Sequence, residues 1–144
     1  MSFRSYGRLA VVGLMLTGVS NAEESFRVIV NKSNPGGRIN RDSLQTIFLK
    51  TGARWGNGHL VEGVDQSTRS AVRAAFAEQA LGQSLQAVEA QWTQSILQGK
   101  GVPPPVRPSD DEVVAYVKAR PDAIGYVSPT SSLDPGVKVL QVVE

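Results

Sequence analysis

The strongest constraint on the fold is the run FRVIVNK (residues 26–32), which is apolar and β-branched and is bounded by the loop sequence SNPGG. Such a run predicts a buried strand followed by a loop. Asn40 is a good N-cap for the next segment, where apolar residues recur at helical spacing. HLVEGV (59–64) predicts the next strand. Strand, helix and strand in this order predict a βαβ unit with a parallel strand pair and a right-handed crossover.

Further helices and strands complete the predicted order. Two helical patterns lie on either side of Gly82, and Ser84 is placed to cap the second. GKGVPPPVRP (99–108) predicts a rigid, extended connection, and Ser109 to Glu112 matches the S-x-x-E capping box of another helix. The runs AIGYV and VKVLQVV predict two more strands. We therefore expect an α/β fold in which helices flank a small mixed sheet.

The first residues have the pattern of a secretory signal peptide. Arg4 and Arg8 give a basic start to residues 1–22, and a short apolar run follows. That run is shorter than the roughly 20 residues that span a bilayer. We expect signal cleavage, a single periplasmic domain over residues 23–144, and no stable membrane insertion after cleavage. A retained membrane anchor is the alternative.

Charge and composition argue against several classes of protein. The chain has 15 basic and 13 acidic residues, so the loss of Arg4 and Arg8 would leave equal numbers. We therefore expect no nucleic-acid partner, because such partners need a clustered basic face. The sequence has no Cys, and His59 is its single His, with no nucleophile or orienting partner indicated by sequence pattern. We expect no enzyme, no metal site and no cofactor.

The two tryptophans have different settings in the sequence. Trp92 continues a helical apolar stripe and is expected in the core. Trp55 lies in a glycine-flanked loop, where we expect it to cover the edge of the sheet. The alternative for Trp55 is stacking on a ligand.

The candidate binding site lies in VEGVDQSTRSAVRAAF (61–76), where a strand runs through a polar turn into a helix. A helix start offers free backbone N–H groups and a positive dipole end, which suit an anion. The hydroxyls of the turn and the N–H groups of residues 70–73 are placed to point at one oxyanion. The alternative is a helix capped by one of its hydroxyls, with solvated arginines. The candidate ligand-binding residues are Ser67, Thr68, Arg69, Ser70 and Arg73.

Several sequence segments resemble those of the periplasmic substrate-binding proteins of phosphate ABC transporters. They are VIVNKSNP, INRDSLQTIFLKTGARWGNG, RSAVRAAF, LQGKGVPPPVRPSDDEVVAYVKARPDAIGYV and VKVL. The similarity extends from about Val28 to Leu140. It implies a single lobe of a type II periplasmic-binding fold, in which two such lobes close on a dehydrated phosphate.

The same resemblance bears on the candidate site. In that family, one lobe contributes a motif like R-x-x-x-S-G-T-x-x-x-F. Ser70 and Phe76 occupy the Ser and Phe positions of this motif. Gln66, Ala71 and Val72 stand at its Arg, Gly and Thr. The resemblance therefore implies a phosphate-binding role for the serine, without the family's arginine and threonine hydroxyl.

An incomplete site implies weak binding. Charge-assisted hydrogen bonds contribute about 1.5–3 kcal/mol each, and residues 23–144 accommodate one lobe of the two. We expect an oxyanion such as phosphate to bind at millimolar concentration at best, about −4 kcal/mol. The alternative is a protein–protein interaction module or a self-associating half-lobe, in which the open surface meets a protein partner or a second copy instead of a small molecule.

Overall fold

The computed structural model describes residues 25–144. The predicted signal peptide lies outside these residues. The strands are β1 (Arg27–Asn31), β2 (Arg38–Asn40), β3 (Glu62–Gly63), β4 (Asp65–Gln66), β5 (Val106–Arg107), β6 (Ala123–Val127) and β7 (Val137–Val143). The helices are α1 (Arg41–Leu49), α2 (Ala71–Ala80), α3 (Leu85–Leu97) and α4 (Asp110–Ala119).

The main sheet is mixed, with the strand order β2-β7-β1-β6-β3. β1 runs antiparallel to both of its neighbours, whereas β2 pairs parallel with β7 and β3 pairs parallel with β6. β4 and β5 form a separate, parallel two-stranded sheet. The predicted α/β class, a small mixed sheet flanked by helices, is confirmed.

The predicted parallel pair within a βαβ unit is wrong. β6 lies between β1 and β3, antiparallel to the first and parallel to the second, so β1 and β3 run in opposite directions. The run predicted as one strand (59–64) also contributes only Glu62 and Gly63 to the main sheet, and the chain then enters the smaller sheet at Asp65. Local periodicity cannot reveal either outcome, because both depend on strands from distant parts of the chain.

Each sheet face packs against its own helices. On one face, α1, α2 and α3 cover a core that contains a cluster of four aromatic rings. Phe76 stacks on Tyr126 with ring centroids 3.9 Å apart, and Phe26 and Phe48 each meet Phe76 edge to face. Trp92 is buried in the same core, as predicted. None of the helices in residues 25–144 is long and apolar enough to cross a membrane.

The other face packs closely against α4. Gly125 lies at the centre of β6, where an added Cβ would come within 2.7 Å of Val64 Cγ1 and 2.8 Å of Val113 Cγ1. Real Cβ contacts essentially never reach such distances. The absence of a side chain at Gly125 therefore lets α4 approach the sheet.

Gly125→Ala tests this close packing. We expect the free energy of unfolding to fall by about 1–3 kcal/mol, because the methyl group must displace Val64 or α4. Gly37→Ala is the matched control, since a Cβ there meets nothing within 4 Å and its backbone φ is not positive. Urea denaturation of both variants makes the comparison, and equal stabilities would contradict the packing argument.

Candidate functional site

The predicted binding turn connects β4 to α2 and is held by its own hydrogen bonds. The Ser67 Oγ accepts the Arg69 N–H at 3.1 Å, and the Ser67 carbonyl oxygen accepts the Ser70 N–H at 2.9 Å. The Ser67 N–H donates to the Arg107 carbonyl oxygen at 3.1 Å, which ties the turn to β5. The structure therefore brings Ser67, Thr68, Arg69 and Ser70 together in one ordered turn.

The start of α2 differs from the other helix starts between residues 25 and 144. Ser70 is the N-cap residue of α2, but its side chain makes no capping hydrogen bond. The N-caps of α1, α3 and α4, which are Asn40, Ser84 and Ser109, each accept a backbone N–H with their side chains. These three caps were predicted from the sequence and are confirmed.

Two backbone N–H groups in the first turn of α2 have no acceptor among the described residues. The N–H groups of Ser70 and Arg73 donate to carbonyl oxygens of the chain itself, so the expectation that all four N–H groups of residues 70–73 point at one ligand is wrong. Ala71 and Val72 have no backbone acceptor among the described residues. An oxyanion at this helix start would therefore meet two backbone donors.

The charges around the α2 start favour an anion. The first turn of α2 contains no acidic residue, whereas the first turns of α1 and α4 do. Thr68 and Arg69 are exposed beside it. The helix dipole places a partial positive charge at this end. No acidic side chain in the first turn of α2 neutralises that charge, so a bound anion would do so.

Arg73 occupies a different environment from the rest of the predicted site. Its side chain is buried, with Nε 3.3 Å from Asp65 Oδ1 and Nη1 donating to the Gln66 carbonyl oxygen at 2.6 Å. The arginine is therefore not solvated, and its guanidinium is committed to an internal ion pair. A direct contact between Arg73 and a bound anion stays a prediction.

Sequence reasoning missed the polar cluster that surrounds this ion pair. The Tyr126 hydroxyl donates to Asp65, and the Gln66 Nε2 donates to Asp110 Oδ1 at 3.0 Å and to the Tyr126 carbonyl oxygen at 3.2 Å. Asp65, Gln66 and Tyr126 are almost fully buried. The available signal was the Asp65-Gln66 pair next to a strand, because buried polar groups in a sheet require partners.

Burial controls the titration of the cluster. It raises the pKa of Asp65, whereas Arg73 and the hydrogen bonds from Tyr126 and Gln66 act in the opposite direction. Burial also raises the pKa of Tyr126, and the charge of Asp65 adds to this effect. Tyr126 therefore remains a hydrogen-bond donor to Asp65, which fixes the end of β4 against β6.

His59 has a partner that the sequence did not indicate. Its Nδ1 lies 3.2 Å from Asp122 Oδ1, although 63 positions separate the two residues in the chain. The indole N–H of Trp55 donates to the Asp122 carbonyl oxygen at 2.9 Å. Residues 25–144 contain no group of three or more His, Asp or Glu side chains placed to hold a metal ion.

Comparisons with known proteins find similarity to solved structures but not to family models or curated sequences. No family model matches the sequence, and no curated protein does. An ABC-type phosphate transport receptor from Vibrio cholerae matches with a TM-score of 0.62 and 20% identity, over 82% of this chain and 46% of that one. PstS from Borrelia burgdorferi matches with a TM-score of 0.63 and 18% identity, over 82% of this chain and 47% of that one.

A third similar structure contains a ligand. It is described as a phosphate ABC transporter substrate-binding protein from Clostridium perfringens with bound phosphate, and it matches with a TM-score of 0.63 and 20% identity. The match covers 82% of this chain and 44% of that one. The chain thus spans less than half the length of each of these proteins. The similarity shows that the chain has the mixed α/β fold of phosphate-binding proteins.

Asp65→Asn tests the buried ion pair beneath the turn. We expect the free energy of unfolding to fall by about 3–5 kcal/mol, because the change leaves Arg73 as a buried charge without its counter-charge. Arg69→Gln is the control in the same turn and should change stability by less than about 0.5 kcal/mol, since Arg69 is exposed.

A double-mutant cycle separates the ion pair from general packing damage. Arg73→Leu alone should also destabilise, and the double variant Asp65→Asn/Arg73→Leu should lose less stability than the two single losses added together. Chemical denaturation at neutral pH gives all four values. Additive losses would show that the two side chains are not coupled.

Proposed function

We propose that the chain is an exported, solute-binding-like protein that recognises a small oxyanion such as phosphate at the start of α2. The observation that carries the proposal is the open N-cap of α2, because the other three helices described each cap their first turn with a side chain. The bound phosphate in the Clostridium perfringens protein of similar fold supports phosphate as the ligand.

The proposed ligand contacts come from one turn. The N–H groups of Ala71 and Val72 would donate to the anion, and the hydroxyls of Ser67, Thr68 and Ser70 are the other candidate donors. Arg69 is the exposed cation of this turn and would supply a charge-assisted hydrogen bond. Arg73 holds α2 against β4 through its ion pair with Asp65, and this role does not require contact with the anion.

The proposed affinity is low. The turn is open to water at Thr68 and Arg69, and water competes for the same donors that the anion uses. A small number of charge-assisted bonds, each contributing about 1.5–3 kcal/mol before the cost of association, gives millimolar binding. Export rests on the signal peptide predicted over residues 1–22. A role in phosphate transport would require the opposing lobe that the longer proteins have.

A phosphate titration followed by two-dimensional amide NMR tests the site. With sodium chloride used to keep the ionic strength constant, we expect the Ala71 and Val72 amide signals to shift with a dissociation constant of about 1–10 mM. The absence of shifts at these two amides over that range would contradict the proposal.

Two matched variants check the location. Ser70→Asp should abolish phosphate binding, because the new carboxylate would cap the α2 amides itself and repel the anion. Ser84→Asp makes the same change at the start of α3, where the side chain already accepts the Ala87 N–H, and should leave binding unchanged. Loss of binding in both variants would indicate a general charge effect and would remove the α2 assignment.

A second candidate function, self-association of the lobe, is favoured by exposed apolar side chains. Leu97 and Val102 are 76% and 75% exposed, and Ile96, the chain neighbour of Leu97, is 53% exposed. These three residues lie at the end of α3 and in the connection that follows it. Such groups are typical of surfaces that a protein covers in an assembly.

Sedimentation equilibrium tests this second candidate. We expect the protein to form a reversible dimer that Leu97→Glu together with Val102→Glu shifts to the monomer by at least about tenfold in dissociation constant, since each charge would enter an apolar contact. Val139→Glu is the control, because Val139 is also exposed but lies on β7. A monomer at all concentrations would exclude self-association.

A further inference from the structure

A second concave site lies at the opposite end of β6 from the start of α2. It is a cavity of about 430 Å³, called here the Trp55 cavity, between the loop after β1, the loop before β3 and the residues before β6. Its lining includes Arg38, Ile39, Trp55, His59, Asp122 and Leu140. Asp122 precedes β6, whereas Tyr126 lies near the end of β6 and accepts the Gln66 N–H just before the α2 turn. The cavity is therefore separate from the proposed anion site.

The apolar wall of the cavity is held in position by hydrogen bonds. The Trp55 N–H donates to the His59 carbonyl oxygen at 2.8 Å, and the Gly58 N–H donates to the Trp55 carbonyl oxygen at 2.8 Å. The indole N–H of Trp55 donates to the Asp122 carbonyl oxygen. A flat aromatic surface is thus preorganised next to the side chains of Ile39 and Leu140, which reduces the entropy cost of binding a ligand.

Among the charged groups of the cavity, the one without a partner in residues 25–144 is a cation, which favours a negative ligand. Arg38 lines the cavity and is exposed, and its side chain makes no hydrogen bond or ion pair with any of residues 25–144. The acidic group of the cavity, Asp122, directs a carboxylate oxygen to His59 at 3.2 Å. Arg38 is therefore the cation that remains available, and a planar guanidinium suits a carboxylate.

We infer that the Trp55 cavity binds a small organic anion with a flat apolar body, of the class of an aromatic carboxylate. The body of the ligand lies against Trp55, Ile39 and Leu140, and its carboxylate accepts from Arg38. The volume falls within the range of about 300–1,000 Å³ that is usual for small-molecule pockets, and apolar walls with a few polar groups are their usual lining. Inorganic phosphate fits the cavity poorly, because most of the lining surface is apolar.

The two indole N–H signals in an NMR spectrum provide the test. Benzoate carries both the flat body and the charge, benzamide carries the body alone, and acetate carries the charge alone. We expect benzoate to shift the Trp55 indole signal with an affinity at least about tenfold above that of benzamide or acetate. The Trp92 indole is an internal control, because it is buried and donates to the Phe48 carbonyl oxygen, and its signal should not move.

A matched pair of variants tests the role of the cation. Arg38→Gln should weaken benzoate binding by about tenfold and bring it close to that of benzamide, because the charge-assisted bond is lost. Arg41→Gln is the control, since Arg41 does not line the cavity and pairs with Glu144 instead. An unchanged Trp92 signal in both variants verifies that the core is intact.

The outcomes separate this inference from the proposed function. Phosphate should shift the amides of Ala71 and Val72 without moving the Trp55 indole, and benzoate should do the reverse. The inference is overturned if benzoate leaves the Trp55 signal unchanged, if benzamide binds as well as benzoate, or if Arg38→Gln binds benzoate like the unmodified protein. The failure of phosphate to bind at α2 would leave each of these results unaffected.

Discussion

The buried ion pair between Asp65 and Arg73 is the interaction on which the rest of this structure depends. It joins β4 to α2, and the Tyr126 hydroxyl attaches the same carboxylate to β6. Two charges withdrawn from water require close partners, so this cluster allows few positions for α2 relative to the sheet. The ring of Tyr126 extends the same constraint into the core, where it stacks on Phe76 of α2.

The ion pair also explains why the hydrogen-bond donors of the candidate anion site are mainly backbone N–H groups. Because Arg73 is used inside the protein, the first turn of α2 offers the N–H groups of Ala71 and Val72, with Arg69 outside them. Ser70 leaves these donors open, since its side chain does not cap the helix. The candidate site would attract an anion because the ion pair holds α2 in position and no acidic side chain in its first turn neutralises the positive end of its helix dipole.

The sequence predicts the local features of this protein well and the long-range ones poorly. Asn40, Ser84 and Ser109 were identifiable as caps because capping depends on residues three positions apart. The strand order was not predictable, because β6 enters between β1 and β3 from near the end of the chain. The contact of His59 with Asp122 was missed for the same reason, since 63 positions separate them.

The open N-cap of α2 limits which surfaces can cover this part of the protein. If a partner protein or a second copy covered the start of α2, the N–H groups of Ala71 and Val72 would lose water. An unpaired buried donor costs about 1–3 kcal/mol, so any surface that covers this turn must bring acceptors or enclose an anion. Coverage of this turn by a partner and recognition of an oxyanion are therefore compatible, and an enclosed anion would be bound more tightly than an exposed one because the surrounding dielectric would be lower.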